Sequence, residues 1–224
     1  VMTLPAPDVA RLFTVGGSHR GADGLIATVV SLHEAPLTLP TGRVAACDPM
    51  IGIEEGVEPF TDEVPPGTYP VVLSVAEVAR PDDASYTHER AAAAWLRIGE
   101  RPAADWSAAL TAGQDPAELA HGEWFGYGVD TGTACFVDAS VTPRLRPLLG
   151  EDGDGGPLID AVYGTASPSL TPRPAAVVEP ESGVGMVAFP SGWGDGAYPT
   201  WVGRDAAGRV VGFLTTFFVV EGAG

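Results

Sequence analysis

The stretch Arg209-Val210-Val211-Gly212-Phe213-Leu214-Thr215-Thr216-Phe217-Phe218-Val219-Val220 contains the longest apolar run of the chain, and its reading decides the fold. From Val210 to Val220 it has about half the length that a membrane-spanning helix requires, and its β-branched and aromatic residues suit a pleated backbone. A strand apolar on both faces belongs inside a sheet, so this one is placed centrally, and its removal should unfold the domain. Asp205-Ala206-Ala207-Gly208 reads as the hairpin turn joining it to a strand at Tyr198–Val202.

Outward from there, Leu25–Leu32, Leu37–Leu39, Arg43–Cys47, Tyr69–Ala79 and Ala93–Ile98 read as an antiparallel meander, with further strands at Ala176–Val178 and Gly185–Phe189. Leu39-Pro40-Thr41-Gly42 and Val64-Pro65-Pro66-Gly67 place proline and glycine where tight reversals need them. Trp106–Ala112, Asp115–Ala120, Pro143–Leu149 and Leu158–Tyr163 have short-helix composition, and Asp115-Pro116 reads as an N-cap followed by a first-turn proline. The phrase Glu89 to Ile98 is compatible with a helix start passing into a strand, and the glycine-rich stretch 150–157 reads as a mobile loop. With 29 glycines and 21 prolines, long helices have little room. The expected fold is mainly β (α+β): antiparallel sheets in a sandwich-like or partly open barrel-like single domain, 1–224, with a few short helices.

The 12 basic residues, all arginine, face 29 acidic ones, a formal charge of −17 that repels phosphate backbones and anionic membranes. A basic protein is the partner this charge favours, with neither nucleic acid nor membrane. The absence of lysine excludes Schiff-base chemistry and a phosphate-cradling lysine within the chain. Cys47 and Cys135 have no close partner in sequence and are expected to be reduced and buried. Val1–Ala10 has neither a basic head nor an apolar stretch, so no secretory signal is read there and a soluble, cytoplasmic protein is expected.

Several segments carry a recognisable pattern: Val64-Pro65-Pro66-Gly67-Thr68-Tyr69-Pro70-Val71, then Gly126-Tyr127-Gly128-Val129-Asp130-Thr131-Gly132-Thr133-Ala134-Cys135-Phe136-Val137-Asp138, then Ser191-Gly192-Trp193-Gly194-Asp195-Gly196-Ala197-Tyr198-Pro199-Thr200-Trp201. With Asp48-Pro49 upstream and the turn Asp205–Gly208 downstream, the set resembles domain-of-unknown-function family 4241, from about Val44 to the carboxyl terminus with Gly150–Ala175 unmatched. The resemblance implies a bacterial, intracellular origin and a β-rich single domain, and it carries no activity onto these positions.

The sharpest chemical signal is Val129-Asp130-Thr131-Gly132-Thr133, which has the form of an aspartic-protease loop, where two carboxylates share a proton. No second Asp-Thr/Ser-Gly exists. A homodimer could supply the second aspartate by symmetry, with Val210-Val211-Gly212 as the downstream apolar element. The alternative is that Asp130 and Gly132 close a turn, the Asp130 carboxylate accepting backbone N–H groups. Ser191–Trp201 gathers two tryptophans, a tyrosine, three glycines and Asp195, a composition for an aromatic pocket or for an aromatic corner over the sheet.

Asp48, Asp130, Asp138 and Asp195 adjoin glycine, proline or strand ends and would serve as oxygen ligands if they converged. The Asp/Gly alternation from Asp152 fails as a calcium loop because its twelfth position is Tyr163, and His19, His33, His88 and His121 are too dispersed for zinc. Neither a Gly-x-Ser-x-Gly elbow nor a nucleotide loop is present, so no cofactor and no metal is expected. The candidate ligand- or partner-binding residues are Asp48, Asp130, Asp138, Trp193, Asp195 and Tyr198. They point first to a non-catalytic binding or interaction domain with an acidic surface, and second to an Asp-dependent or metal-assisted hydrolase centred on Asp130.

Overall fold

The computed structural model describes residues 4–21, 23–150, 156–164 and 171–220. In chain order the regular elements are α1 (Val9–Phe13), β1 (Ser18–Arg20), β2 (Ile26–Leu39), β3 (Val44–Cys47), α2 (Pro49–Glu55), β4 (Gly67–Arg80), β5 (Asp83–Arg97) and β6 (Asp105–Ala108). There follow β7 (Tyr127–Val129), β8 (Thr133–Asp138), α3 (Gly156–Tyr163), β9 (Ala175–Val178), β10 (Gly185–Pro190), β11 (Gly196–Tyr198), β12 (Thr200–Arg204) and β13 (Val210–Thr216). Short 3-10 turns lie at Pro116–Glu118, Ala139–Arg144 and Arg146–Leu149. The fold is mainly β, with every strand pairing antiparallel.

Seven strands form the larger sheet in the order β1-β2-β4-β5-β13-β12-β6, and four form the smaller one, β3-β8-β10-β9. A two-stranded ribbon pairs β11 with β7. Strand β13 lies inside the large sheet, between β5 and β12, as its two apolar faces require. The sheets pack face to face, and period-two alternation on the small sheet sorts its side chains between two cores. Val44, Ala46, Ala134, Phe136, Val187 and Phe189 enter the core shared with the large sheet. Their neighbours Ala45, Cys47, Cys135, Val137, Met186 and Ala188 face a second core, closed by Ile53, Leu145, Leu149 and Leu158 of the helices and 3-10 turns. Strands β3, β8 and β10 of the small sheet are therefore buried on both sides, with all six residues of β8 buried, while β9 forms a partly exposed edge.

Gly42 shows how the reversals fit together. Its φ of +78° is easy only for glycine, and a Cβ there would collide with the Val64 carbonyl. The two proline-glycine turns thus dock on each other, with the Val64 N–H donating to the Gly42 carbonyl at 3.0 Å.

Several elements differ from the sequence reading. Leu25–Leu32 and Leu37–Leu39 belong to the one strand β2, because Pro36 stands opposite Pro70 and two residues without N–H groups share one rung of the ladder. Glu89–Ile98 contains no helix start: β5 is extended from Asp83 to Arg97, its Ala91–Ala94 fully buried. Trp106–Ala112 is not helical either. Asp105–Ala108 pairs with Trp201–Arg204, and Trp106 lies over Gly203 and meets Trp95 at 6.2 Å, so an available sheet edge overrides local propensity. Pro143–Leu149 falls across 3-10 turns, and Tyr198–Val202 is divided at Pro199 between the ribbon and the large sheet. The Asp115 cap is present, its carboxylate accepting the Ala117 N–H at 2.9 Å. Residues 151–155, which hold most of the expected 150–157 loop, lie outside the described residues. Among the described residues no helix is long and apolar enough to cross a membrane.

Candidate functional site

Asp48 follows β3 and caps α2, where its Oδ1 accepts the Met50 N–H at 3.0 Å. Its Oδ2 accepts three more bonds, from the Asp130 N–H at 3.0 Å and from the Thr131 N–H and hydroxyl, both at 2.9 Å. The carboxylate is 1% exposed and its burial is compensated by these four donors. The acid that closes the Asp-Thr-Gly turn is therefore Asp48 and not Asp130. Asp130 contributes only its backbone N–H, and its side chain is exposed. The protease-like form of Asp130-Thr131-Gly132 reflects a left-handed residue, Gly132 at φ +66°, between β7 and β8.

Asp138 ends β8 at the other end of the strand, roughly 17 Å away by five steps of about 3.4 Å. It is buried, and its oxygens accept the Thr41, Gly42 and Ser140 N–H groups and the Thr41 and Ser140 hydroxyls at 2.7–3.0 Å. Burial pushes this carboxyl up, but the donors from Ser140 and Thr41 outweigh it and hold the group below the ordinary aspartate range. Like Asp48, Asp138 ties chain segments together and presents no open coordination.

The turn at Gly132 is also the anchor for the aromatic segment. Its carbonyl accepts the Ser191 N–H at 3.0 Å and the Tyr163 hydroxyl at 2.9 Å. Ser191 in turn donates from Oγ to the Gly194 carbonyl at 2.8 Å, and the Tyr198 hydroxyl donates to the same carbonyl at 2.9 Å. Gly192, at φ +62°, lets this loop press onto the core: a Cβ there would stand 2.5 Å from Phe217 Cβ. The ribbon register sets Gly196 opposite Val129, so Asp195 and Asp130 both flank its first rung. Three of the four aspartates thus come to one end of the ribbon. Among the described residues, no three of His, Cys, Asp and Glu are grouped as a metal would require.

This anchored loop displays its remaining side chains on a cleft of about 360 Å³, walled by Trp124, Trp193, Tyr198 and Phe218 with Asp23 and Asp195 among its lining. Phe218 is its hub. The Trp124 ring meets it edge-on at 5.5 Å, the Tyr198 ring lies 6.3 Å away, and the Trp193 indole N–H donates to the Phe218 carbonyl at 3.4 Å. Phe218 adopts φ +57°, a conformation a bulky residue rarely holds, which turns the chain out of the strand direction after Thr216. Trp193 is 40% exposed, and the Arg90 guanidinium lies 5.2 Å from its ring centre without lining the cleft. Tyr198 is buried, and that burial pushes its phenol up.

Sequence reasoning placed Trp193, Asp195 and Tyr198 in one candidate pocket but missed Trp124, Phe218 and Asp23. Phe218 was hidden by the strand expectation for Arg209–Val220, whereas β13 ends at Thr216 and Phe218 takes a positive φ. Trp124 and Asp23 lie in loops distant in sequence, with no local pattern pointing toward Ser191–Trp201. Val210-Val211-Gly212, the downstream apolar element of the protease reading, lies in β13, where Gly212 pairs with Arg97.

The family model described as Protein of unknown function (DUF4241) matches residues 37–215. No curated protein and no solved structure matches the chain.

Proposed function

The chain belongs to the DUF4241 family of proteins of unknown function, and from that footing we propose that it is a non-catalytic binding domain whose contact surface is the aromatic cleft. The observation that carries this reading is the division of labour among the candidate residues. Asp48 and Asp138 are buried and occupied by donors, whereas Trp193 and Asp195 stand exposed on an anchored loop beside a concave aromatic wall. Exposed aromatic rings held on rigid backbone supply contact area at small entropic cost. The charge of −17 favours a basic protein as partner and disfavours nucleic acid and membrane. Two free thiols only 3.5 Å apart suit a reducing compartment, in keeping with a bacterial cytoplasm.

A hydrolase centred on Asp130 is the second reading, favoured by the approach of Asp130 and Asp195 at the first rung of the ribbon. It has less support, because the neighbouring Asp48 carboxylate is buried and already accepts four hydrogen bonds from the chain.

Retention of a partner on the immobilised chain at about 50 mM and 500 mM salt tests the proposal. Retention should fall at high salt, fall at least about tenfold in Trp193→Ala, and be unchanged in Asp130→Asn. Retention indifferent to both salt and Trp193 would remove the reading.

A further inference from the structure

The geometry points to an arginine side chain of a basic protein partner as the occupant of the aromatic cleft, an identification that rests on the binding reading above. The wall consists of π-faces and the charged lining consists of carboxylates: four aromatic residues, with Asp23 and Asp195, and no arginine or histidine among the described lining residues. The negative face of an aromatic ring attracts a cation, and indole does so most strongly. Among the described residues none donates a hydrogen bond to the Asp195 side chain, and only the Leu25 N–H donates to that of Asp23, on Oδ1. Both are exposed, so acceptors remain beside the wall for an incoming donor.

Arginine fits this chemistry better than lysine. Its guanidinium is planar and weakly hydrated, so it can lie on a ring while its N–H groups reach a carboxylate, whereas an ammonium gives up a firm hydration shell to do the same. The Arg90 guanidinium, 5.2 Å from the Trp193 ring centre and outside the cleft lining, is an intramolecular example of the same contact. A volume of about 360 Å³ lies at the lower end of the range for ligand sites and suits a single inserted side chain rather than a packed element.

The test is NMR titration of the intact protein, labelled at its indole N–H groups, with a blocked Gly-Arg-Gly peptide. Parallel titrations use the same peptide with lysine, or with citrulline, the neutral isostere, in place of arginine. The Trp124 and Trp193 signals should move with the arginine peptide, at about tenfold lower concentration than with citrulline, while those of Trp95, Trp106 and Trp201 stay in place. Asp23→Asn combined with Asp195→Asn, two exposed substitutions, should erase the advantage over citrulline without changing the remaining spectrum. Equal response to citrulline or to lysine overturns the guanidinium assignment and leaves the cleft as a binding surface. No response to any peptide also overturns it, and the salt- and Trp193-dependence of partner retention then decides the binding reading separately.

Discussion

At the scale of single residues, the acids of the family segments divide by what reaches their oxygens. Asp138 is held below the ordinary aspartate range by its hydroxyl and amide donors, so its contribution to stability is complete above about pH 4 and is lost as pH falls through its lowered folded-state value. Asp138→Asn should therefore flatten the acid limb of the stability–pH curve while lowering stability at neutral pH, as measured by urea unfolding at stepped pH. The Cys47 and Cys135 thiols meet at 3.5 Å across paired strands, and the Cys47 contact, with burial, pushes the Cys135 thiol well above its ordinary range. Neither should react with an aromatic disulfide reagent until the protein unfolds, and a titration of free thiols with and without urea checks this. The residue types were legible in the sequence. Beyond the local caps from Met50 and Ser140, their partners were not, because those bonds join residues about 80 to 100 positions apart, such as Asp48 to Thr131 or Asp138 to Thr41.

At the scale of elements, punctuation by proline and glycine carried most of the reading. The turns at Pro40–Gly42 and Asp205–Gly208 stand where expected, because a left-handed φ at Gly42 and Gly208 leaves few alternatives. Trp106–Ala112 misled because local composition is a weak prior against an open sheet edge, and the edge of β12 recruited Asp105–Ala108. The ending of β13 misled for another reason. Nothing in Phe217-Phe218-Val219-Val220 announces a change of direction, and Phe218, with its positive φ, forms one wall of the cleft. Gly192 is the element-scale hinge of the site. Gly192→Ala should lower stability by about 2 kcal/mol or more, through its left-handed φ and the contact with Phe217, and blunt any ligand response of the Trp193 signal.

At the scale of the molecule, the family segments that resisted a catalytic reading converge on one hydrogen-bonded junction. Asp48 joins α2 to the turn before β8, Gly132 joins that turn to Ser191, and the ribbon of β7 and β11 carries the connection to the aromatic wall. Sheets and helices are thereby locked together beneath an exposed cleft, which gives the segments a structural role distinct from the surface they support. The sequence set out their chemistry without their mutual positions, so the pocket's far wall, Trp124 and Phe218, was not visible in it. The most direct test is equilibrium urea unfolding of Asp48→Ala beside Asp130→Asn. Loss of a helix cap and of three further bonds to a buried carboxylate should cost the first about 3 kcal/mol, while the second, whose exposed carboxylate accepts no hydrogen bond from a described residue, should change by less than about 0.5 kcal/mol. An unchanged unfolding midpoint in Asp48→Ala, or an equal loss in Asp130→Asn, would contradict the account.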